Sequence, residues 1–269
     1  IAVTQQAAED ASHGTFTITT NKQLSQPVTV LLAISGTADA NADYAAIGSS
    51  FTFPALTDSV TIPVTLLPDD VIECDETVVV QILSTSDPAA RPGTPDAATL
   101  TVTDNDTATV SIVASGANGS EPGAEDGQFT VALDHGQAPP GGLEVNFTVG
   151  GTATAGADYA TIGSSVTIPA GLSSATILVD VTDDSVVELA ESVIVTLTGT
   201  NNLGATIDPV NHTAAVTIAD DDTATVSIAR VDDGAEGATP APAKFRVTQT
   251  QISSTDTVLS YTVNGTATP

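Results

Sequence analysis

This chain repeats itself at a spacing near 115 residues, and no other feature limits its possible folds as tightly. GTADANADYAAIGSS begins at Gly36 and returns as GTATAGADYATIGSS at Gly151, 115 positions on. DDVIECDETVVVQI from Asp69 matches DSVVELAESVIVTL from Asp184 at the same spacing. TVTDNDTATVSI from Thr101 matches TIADDDTATVSI from Thr217, a spacing of 116. A third copy opens at Thr223 and ends with YTVNGTATP. A period of this size is a domain rather than a solenoid unit, so each copy needs its own core. The division is residues 1–106, 107–222 and 223–269, and 269 residues suit two to three domains. Ile1 aligns with Ile228, leaving the first strand of repeat 1 incomplete, and repeat 3 has room for roughly three strands. We expect repeat 3 to be completed by sequence beyond Pro269, or by strand addition from another chain. An intact mass near 26.8 kDa would exclude the first of these.

Repeat 2 shows what each copy is made of. Val110 and Ile112 alternate with polar neighbours, as do Phe129, Val131 and Leu133, and then Val145, Phe147 and Val149. Val166 and Ile168 follow, then Ile177, Val179 and Val181, then Val193, Val195 and Leu197, and finally Val216 and Ile218. These are seven segments of period two, separated by turns rich in Gly, Pro, Asn and Asp. The apolar residues are chiefly Ala, Val, Ile and Leu, interleaved with Thr, which favours strands. The expected fold is all-β: tandem immunoglobulin-like antiparallel β-sandwiches of about seven strands each. No segment carries an apolar stripe of helical period.

Five Lys and Arg stand against 33 Asp and Glu, a formal net charge of −28. Nucleic acid and anionic membrane surfaces would be repelled. Where the acids fall is more informative than their number. In repeat 2 they are Glu125 before the Phe129 strand, Asp158 in the Gly-rich connection, and Asp183, Asp184, Glu188 and Glu191 around the next turn, with Asp220, Asp221 and Asp222 at the close. In a seven-strand sandwich these places share one pole. Nine carboxylates gathered there repel one another unless cations neutralise them. An all-oxygen, loop-borne donor set suits calcium, and their number fits several ions with bridging carboxylates. Zinc or copper would call for His or Cys, and His13, His135 and His212 are scattered.

Gly151-Thr-Ala, Asp158-Tyr159, DDSVVELAE from Asp183 and IADDD from Ile218 together resemble the Calx-beta family, over essentially the whole chain. That resemblance implies calcium ligation by the nine repeat 2 acids named above. In repeat 1 it implies Glu9, Asp43, Asp69, Glu73, Glu76, Asp104 and Asp106. Pro68 replaces one acid there, and Asn105, which offers only a carbonyl oxygen, replaces another. Fewer or weaker ions are therefore expected in repeat 1, with Asp70 or Asp75 as substitutes. Repeat 3 supplies Glu236.

The single cysteine, Cys74, is read as a half-buried thiol on the acidic turn, and the paired Tyr44 and Tyr159 as packing anchors. Four N-x-Ser/Thr sequons, at Asn118, Asn146, Asn211 and Asn264, carry little weight in so Thr-rich a chain. Acids that recur in every unit, without an aromatic sugar platform, do not fit glycosidase chemistry, and no catalytic constellation stands out, so we expect no enzyme. The expected role is a calcium-binding structural or adhesive repeat at a bacterial cell surface, or secreted, with several Ca2+ per junction stiffening a stalk or filament. Its partners would be neighbouring repeats, identical chains or another surface protein, with no nucleic acid and no membrane insertion. A calcium-sensing regulatory module of a larger membrane protein or enzyme is the alternative. A salt-adapted sandwich whose acids only hold water is the third.

Overall fold

A computed structural model describes residues 1–116, 118–121 and 125–266. The last residues of the third copy, 267–269, lie outside them. Among the described residues there is no helix, and so none long and apolar enough to cross a membrane. Repeat 1 contains β1 (Ala2–Gln5), β2 (Ala7–Ala8), β3 (Gly14–Thr19), β4 (Val28–Gly36), β5 (Ser50–Phe53), β6 (Ser59–Val64), β7 (Glu76–Thr85) and β8 (Ala97–Thr103). Repeat 2 contains β9 (Ala108–Ala114), β10 (Gly119–Ser120), β11 (Gly127–Leu133), β12 (Leu143–Gly151), β13 (Ser165–Ile168), β14 (Ser174–Val179), β15 (Glu191–Thr200), β16 (Ala205–Ile207) and β17 (Thr213–Ala219). Repeat 3 contributes the hairpin β18 (Val226–Asp232) and β19 (Lys244–Gln249).

Period-two patterning has the expected result. In repeat 2 one sheet runs β10-β17-β15-β12-β13 and the other β14-β11-β9-β16. Phe129, Val131, Val145, Val193 and Val195 point between them and are fully buried, while their neighbours along each strand face outward. Each such side chain contributes about 1.5–3 kcal/mol on leaving water. Repeat 1 repeats the plan with β2-β8-β7-β4-β5 facing β1-β3-β6, and Phe16 takes the place of Phe129.

The structure adds two short strands that period-two reading passed over. β10 pairs in parallel with the end of β17, and β16 in parallel with β9. Two or three residues are too few to show an alternation. Val181, expected at a strand end, lies beyond β14 and forms an isolated bridge with Tyr159. Among its described residues repeat 3 forms two strands, β18 and β19, and Tyr261 and Val263 beyond them are exposed.

Each GTA motif marks where β4 or β12 leaves its sheet. Gly36 and Gly151 have φ of 136° and 120°, and a Cβ on them would stand 2.0 and 2.1 Å from the carbonyl oxygens of Thr77 and Ser192. Backbone cannot yield as a side-chain tip can. Gly151→Ala is expected to destabilise repeat 2 by about 2–4 kcal/mol, read from chemical denaturation; a loss under about 0.5 kcal/mol would refute the clash.

Successive repeats meet without a linker segment. β8 ends at Thr103 and β9 begins at Ala108, with three of the acidic-run residues, 104–106, in between. The turn before β7 reaches into the next repeat: Val71 bridges Gln137, and Ile72 is packed inside the repeat 2 core.

Candidate metal centre

Four chain segments bring acids to the pole where one repeat meets the next, and each is fixed by backbone bonds. β10 runs beside Ile218 and Ala219, and the Glu121 N–H donates to Ala219 O at 3.1 Å, seating Glu121 next to Asp220. In repeat 1, Ala7 and Ala8 run beside Val102 and Thr103, and Glu9 N–H donates to Thr103 O at 3.1 Å. Asp158 is buried and accepts the Thr154 N–H at 2.6 Å, while its own carbonyl accepts Thr182 N–H. Tyr159 and Tyr44, nearly fully buried, anchor this loop in each repeat. The Glu188 N–H donates to Asp220 Oδ2 at 2.9 Å, and Asp222 N–H to Asp220 Oδ1 at 3.0 Å. Glu73 and Asp106 make the same bonds to Asp104, at 3.0 and 3.1 Å.

Carboxylate oxygens consequently collect into groups whose members all lie within 4.8 Å of one another. In repeat 2 they are Asp158/Glu188/Glu191, Glu121/Asp220/Asp222 and Glu121/Asp183/Asp221, the last two sharing Glu121. In repeat 1 they are Asp43/Glu73/Glu76 and Glu9/Asp104/Asp106. Among the described residues, repeat 1 has no counterpart of the Asp183 and Asp221 group, because Pro68 and Asn105 occupy those two places.

Several expected residues stand elsewhere. Glu125 is exposed, bridges Ser120 by its backbone, and belongs to none of these groups. Glu121 occupies the position instead. Asp184 and Asp69 lie outside the groups and accept the N–H of Val186 and Val71, at 2.6 and 2.8 Å, though their charges still act on the nearby glutamates. Glu236 and Asp75 join no group, Asn105 stands exposed between Asp104 and Asp106, and Asp70 places its charge on Asp106. Cys74 is exposed, not half-buried, because the inward-turned member of its loop is Ile72.

The electrostatics are those of crowded anions. Burial, then the hydrogen bond and charge of Asp104, push Glu9 up to about 8. Burial and Asp43 do the same to Glu76, also to about 8, and burial with the charge of Asp43 carries Glu73 to about 7. In repeat 2, Glu121 rises to about 7 through burial and the charges of Asp220 and Asp184. Glu191 rises to about 7 through burial and its hydrogen bond with Asp158. Among the described residues no ion pair answers these carboxylates, so each is held above its ordinary value. Glu121 is only 3% exposed, and its Oε2 has no hydrogen-bond partner; Asp106 Oδ2 and Asp222 Oδ2 are likewise buried and unpartnered. Buried oxygens left unmatched are costly, and a cation would match them. The donors are all oxygen, which fits a hard divalent ion and not one that needs nitrogen or sulfur.

A search of curated protein sequences found no match. Among solved structures, the chain is similar to the crystal structure of CBD12 from CALX1.2, at 17% identity and a TM-score of 0.36, over 80% of this chain and 96% of that one. It is similar to the calcium binding domain CBD12 of CALX1.1, at 15% identity and 0.37, over 81% and 98%. The apo-form Calx CBD1 domain aligns at 22% identity and 0.34, over 42% and 99%. The Calx-beta domain family model matches twice in tandem, over residues 3–106 and 107–222, and the chain belongs to the Calx-beta family.

Proposed function

We propose that this chain is a calcium-binding structural segment in which ions held at the pole of each repeat stiffen its joint with the next, as in an extracellular stalk, adhesin or filament. The observation that carries this reading is that the acids of repeat 2 are already touched by repeat 3. Gln251 Nε2 donates to Asp222 Oδ1 at 3.2 Å, and the Ser254 N–H donates to the carbonyl of Val187, the residue before Glu188, at 3.2 Å. An ion bound among Glu121, Asp220 and Asp222 would therefore sit in the joint and not on a free end.

Calcium would supply charge neutralisation and directional ligation to oxygens that otherwise repel. In repeat 2, Glu121, Asp158, Asp183, Glu188, Glu191 and Asp220 to Asp222 would hold it. In repeat 1, Glu9, Asp43, Glu73, Glu76, Asp104 and Asp106 would. Repeat 2 would take more ions than repeat 1. The role is non-enzymatic, and the partners are neighbouring repeats and identical chains or another surface protein.

Small-angle scattering with and without chelator tests the joint. Calcium is expected to give a longer, stiffer particle with a sharply defined maximum dimension, and chelation a distribution broadened by motion of repeat 3 against repeat 2. Unchanged dimensions would count against the reading, and calorimetric titration giving no heat above buffer would favour acids that only hold water.

A further inference from the structure

Ile72 stands on the acidic turn that carries Glu73 and Glu76, yet it is 0% exposed, and the core it belongs to is that of repeat 2. Its surroundings are built for it. Ile72 N–H donates to Gln137 O at 3.0 Å, and Gln137 N–H donates to Asp70 O at 2.9 Å. Asn202, 7% exposed, turns its Nδ2 onto Ile72 O at 3.0 Å. Gly136 and Gly204 form two walls. A Cβ on Gly204 would come within 2.8 Å of Ile72 Cγ2, and one on Gly136 within 3.4 Å of Cδ1. A side chain on either wall would leave less room for a branched aliphatic.

The next joint uses the same positions. Val187 lies 115 residues after Ile72, and its N–H donates to Ile252 O at 2.8 Å while its carbonyl accepts Ser254 N–H at 3.2 Å. It bridges Ser253, as Val71 bridges Gln137. Ser253 and Gln137 each lie eight residues past the Phe of their strand, Phe245 and Phe129. The register differs by one residue. Where repeat 2 has the wall glycine Gly136, repeat 3 has Ile252, whose side chain is 76% exposed, and Val187 is half-buried, so this joint repeats the backbone rim without a filled pit.

We propose that the aliphatic residue of this turn is a docking plug, and that the pole of the following repeat is a socket which recognises it by an apolar pit with a backbone rim. The partner is another repeat of the same kind, in this chain or in a second copy. The plug closes the joint without an ion, so it stands apart from the calcium reading.

Spin labels on T61C in β6 and T176C in β14, in a C74S background, report the distance between repeats 1 and 2 by pulsed electron resonance. Measured in chelator, the parent is expected to give one narrow distribution, Ile72→Val to keep it, and Ile72→Ser to broaden it about twofold, as an unlocked interdomain joint would. A parent already broad in chelator, or an Ile72→Ser distribution as narrow as the parent's, overturns the plug. Should Ile72→Ser unfold repeat 2, Gly204→Ala decides, because it crowds the socket and leaves the plug: broadening supports the proposal and no change overturns it. The same pair in calcium reads the ion joint separately. Narrowing by calcium with no response to either substitution would overturn the plug and leave the calcium reading standing.

Discussion

In chelator, the unfolding midpoint of this chain is expected to fall as pH rises from about 4.5 to about 8, and saturating calcium to reverse that slope. Glu9, Glu76, Glu73, Glu121 and Glu191 all have carboxyls held above the ordinary value of 4.5 when folded. Each binds a proton more tightly folded than unfolded, so unfolding releases protons throughout that window. Stability is therefore fullest below the unfolded value and is lost as pH climbs through the folded one. The lowered groups, Asp134 and Asp208, titrate below their ordinary 3.8 and do not enter the window. Solvent screening trims each contribution, and together they should move the midpoint by on the order of 10 °C. Calcium competes with the same protons. Binding to the folded form alone adds about 4 kcal/mol per site at a thousandfold excess over Kd, and the gain grows as the carboxyls ionise. Scanning calorimetry from pH 4.5 to 8, with chelator and with calcium, reads both slopes; a chelator midpoint that rises across the window would show that the acids are not held above their ordinary value.

The second large effect concerns Glu121. Because two groups share its carboxylate, Glu121→Gln is expected to weaken calcium binding by repeat 2 on the order of ten- to a hundredfold and to lower the number of ions bound. The same substitution removes a buried, unpartnered anionic oxygen from the calcium-free protein. Its midpoint in chelator should therefore rise even as its midpoint in calcium falls, and no loss of packing produces that pair of signs. Glu125→Gln, at an exposed position, should leave affinity within about twofold. Isothermal titration of both variants decides the matter: if Glu125→Gln loses the ions and Glu121→Gln keeps them, the assignment of the shared carboxylate is wrong.

The confusion between those two glutamates shows how far residues alone lead. The period-two strands were legible because burial on one face forces an alternation, and three of the four acid-bearing segments recur at nearly constant spacing. The fourth does not. AAED in repeat 1 looks like GAED in repeat 2, which equates Glu9 with Glu125. But strand β3 aligns with β11 at 113, since Gly14 matches Gly127, and that spacing places Ser12 opposite Glu125. The backbone agrees: Ala8 bridges Ser12 as Ser120 bridges Glu125. His13 and Asp126 then play one part, each side chain accepting the N–H of the second residue after β6 or β14, Leu66 and Val181. Counting back from the Gly before the strand reaches Pro122, and the pairing of β2 with β8 and of β10 with β17 supplies the last step to Glu121. The turn residue Ile72 offered no such clue, because an aliphatic among acids reads as an ordinary loop residue until its neighbour's core is known.

That residue also changes what counts as a unit in this chain. Ile72 belongs covalently to repeat 1 and sterically to the interior of repeat 2, so the boundary of a melting unit does not fall at the sequence boundary. When repeat 1 unravels it withdraws a side chain from its neighbour's interior and leaves a void there. Stability in such an array is a sum of intrinsic terms and nearest-neighbour couplings, as in a one-dimensional Ising chain. Unfolding would then travel as a front from one end toward the other, and a repeat in the middle of a long array would resist denaturant better than the same sequence at its margin.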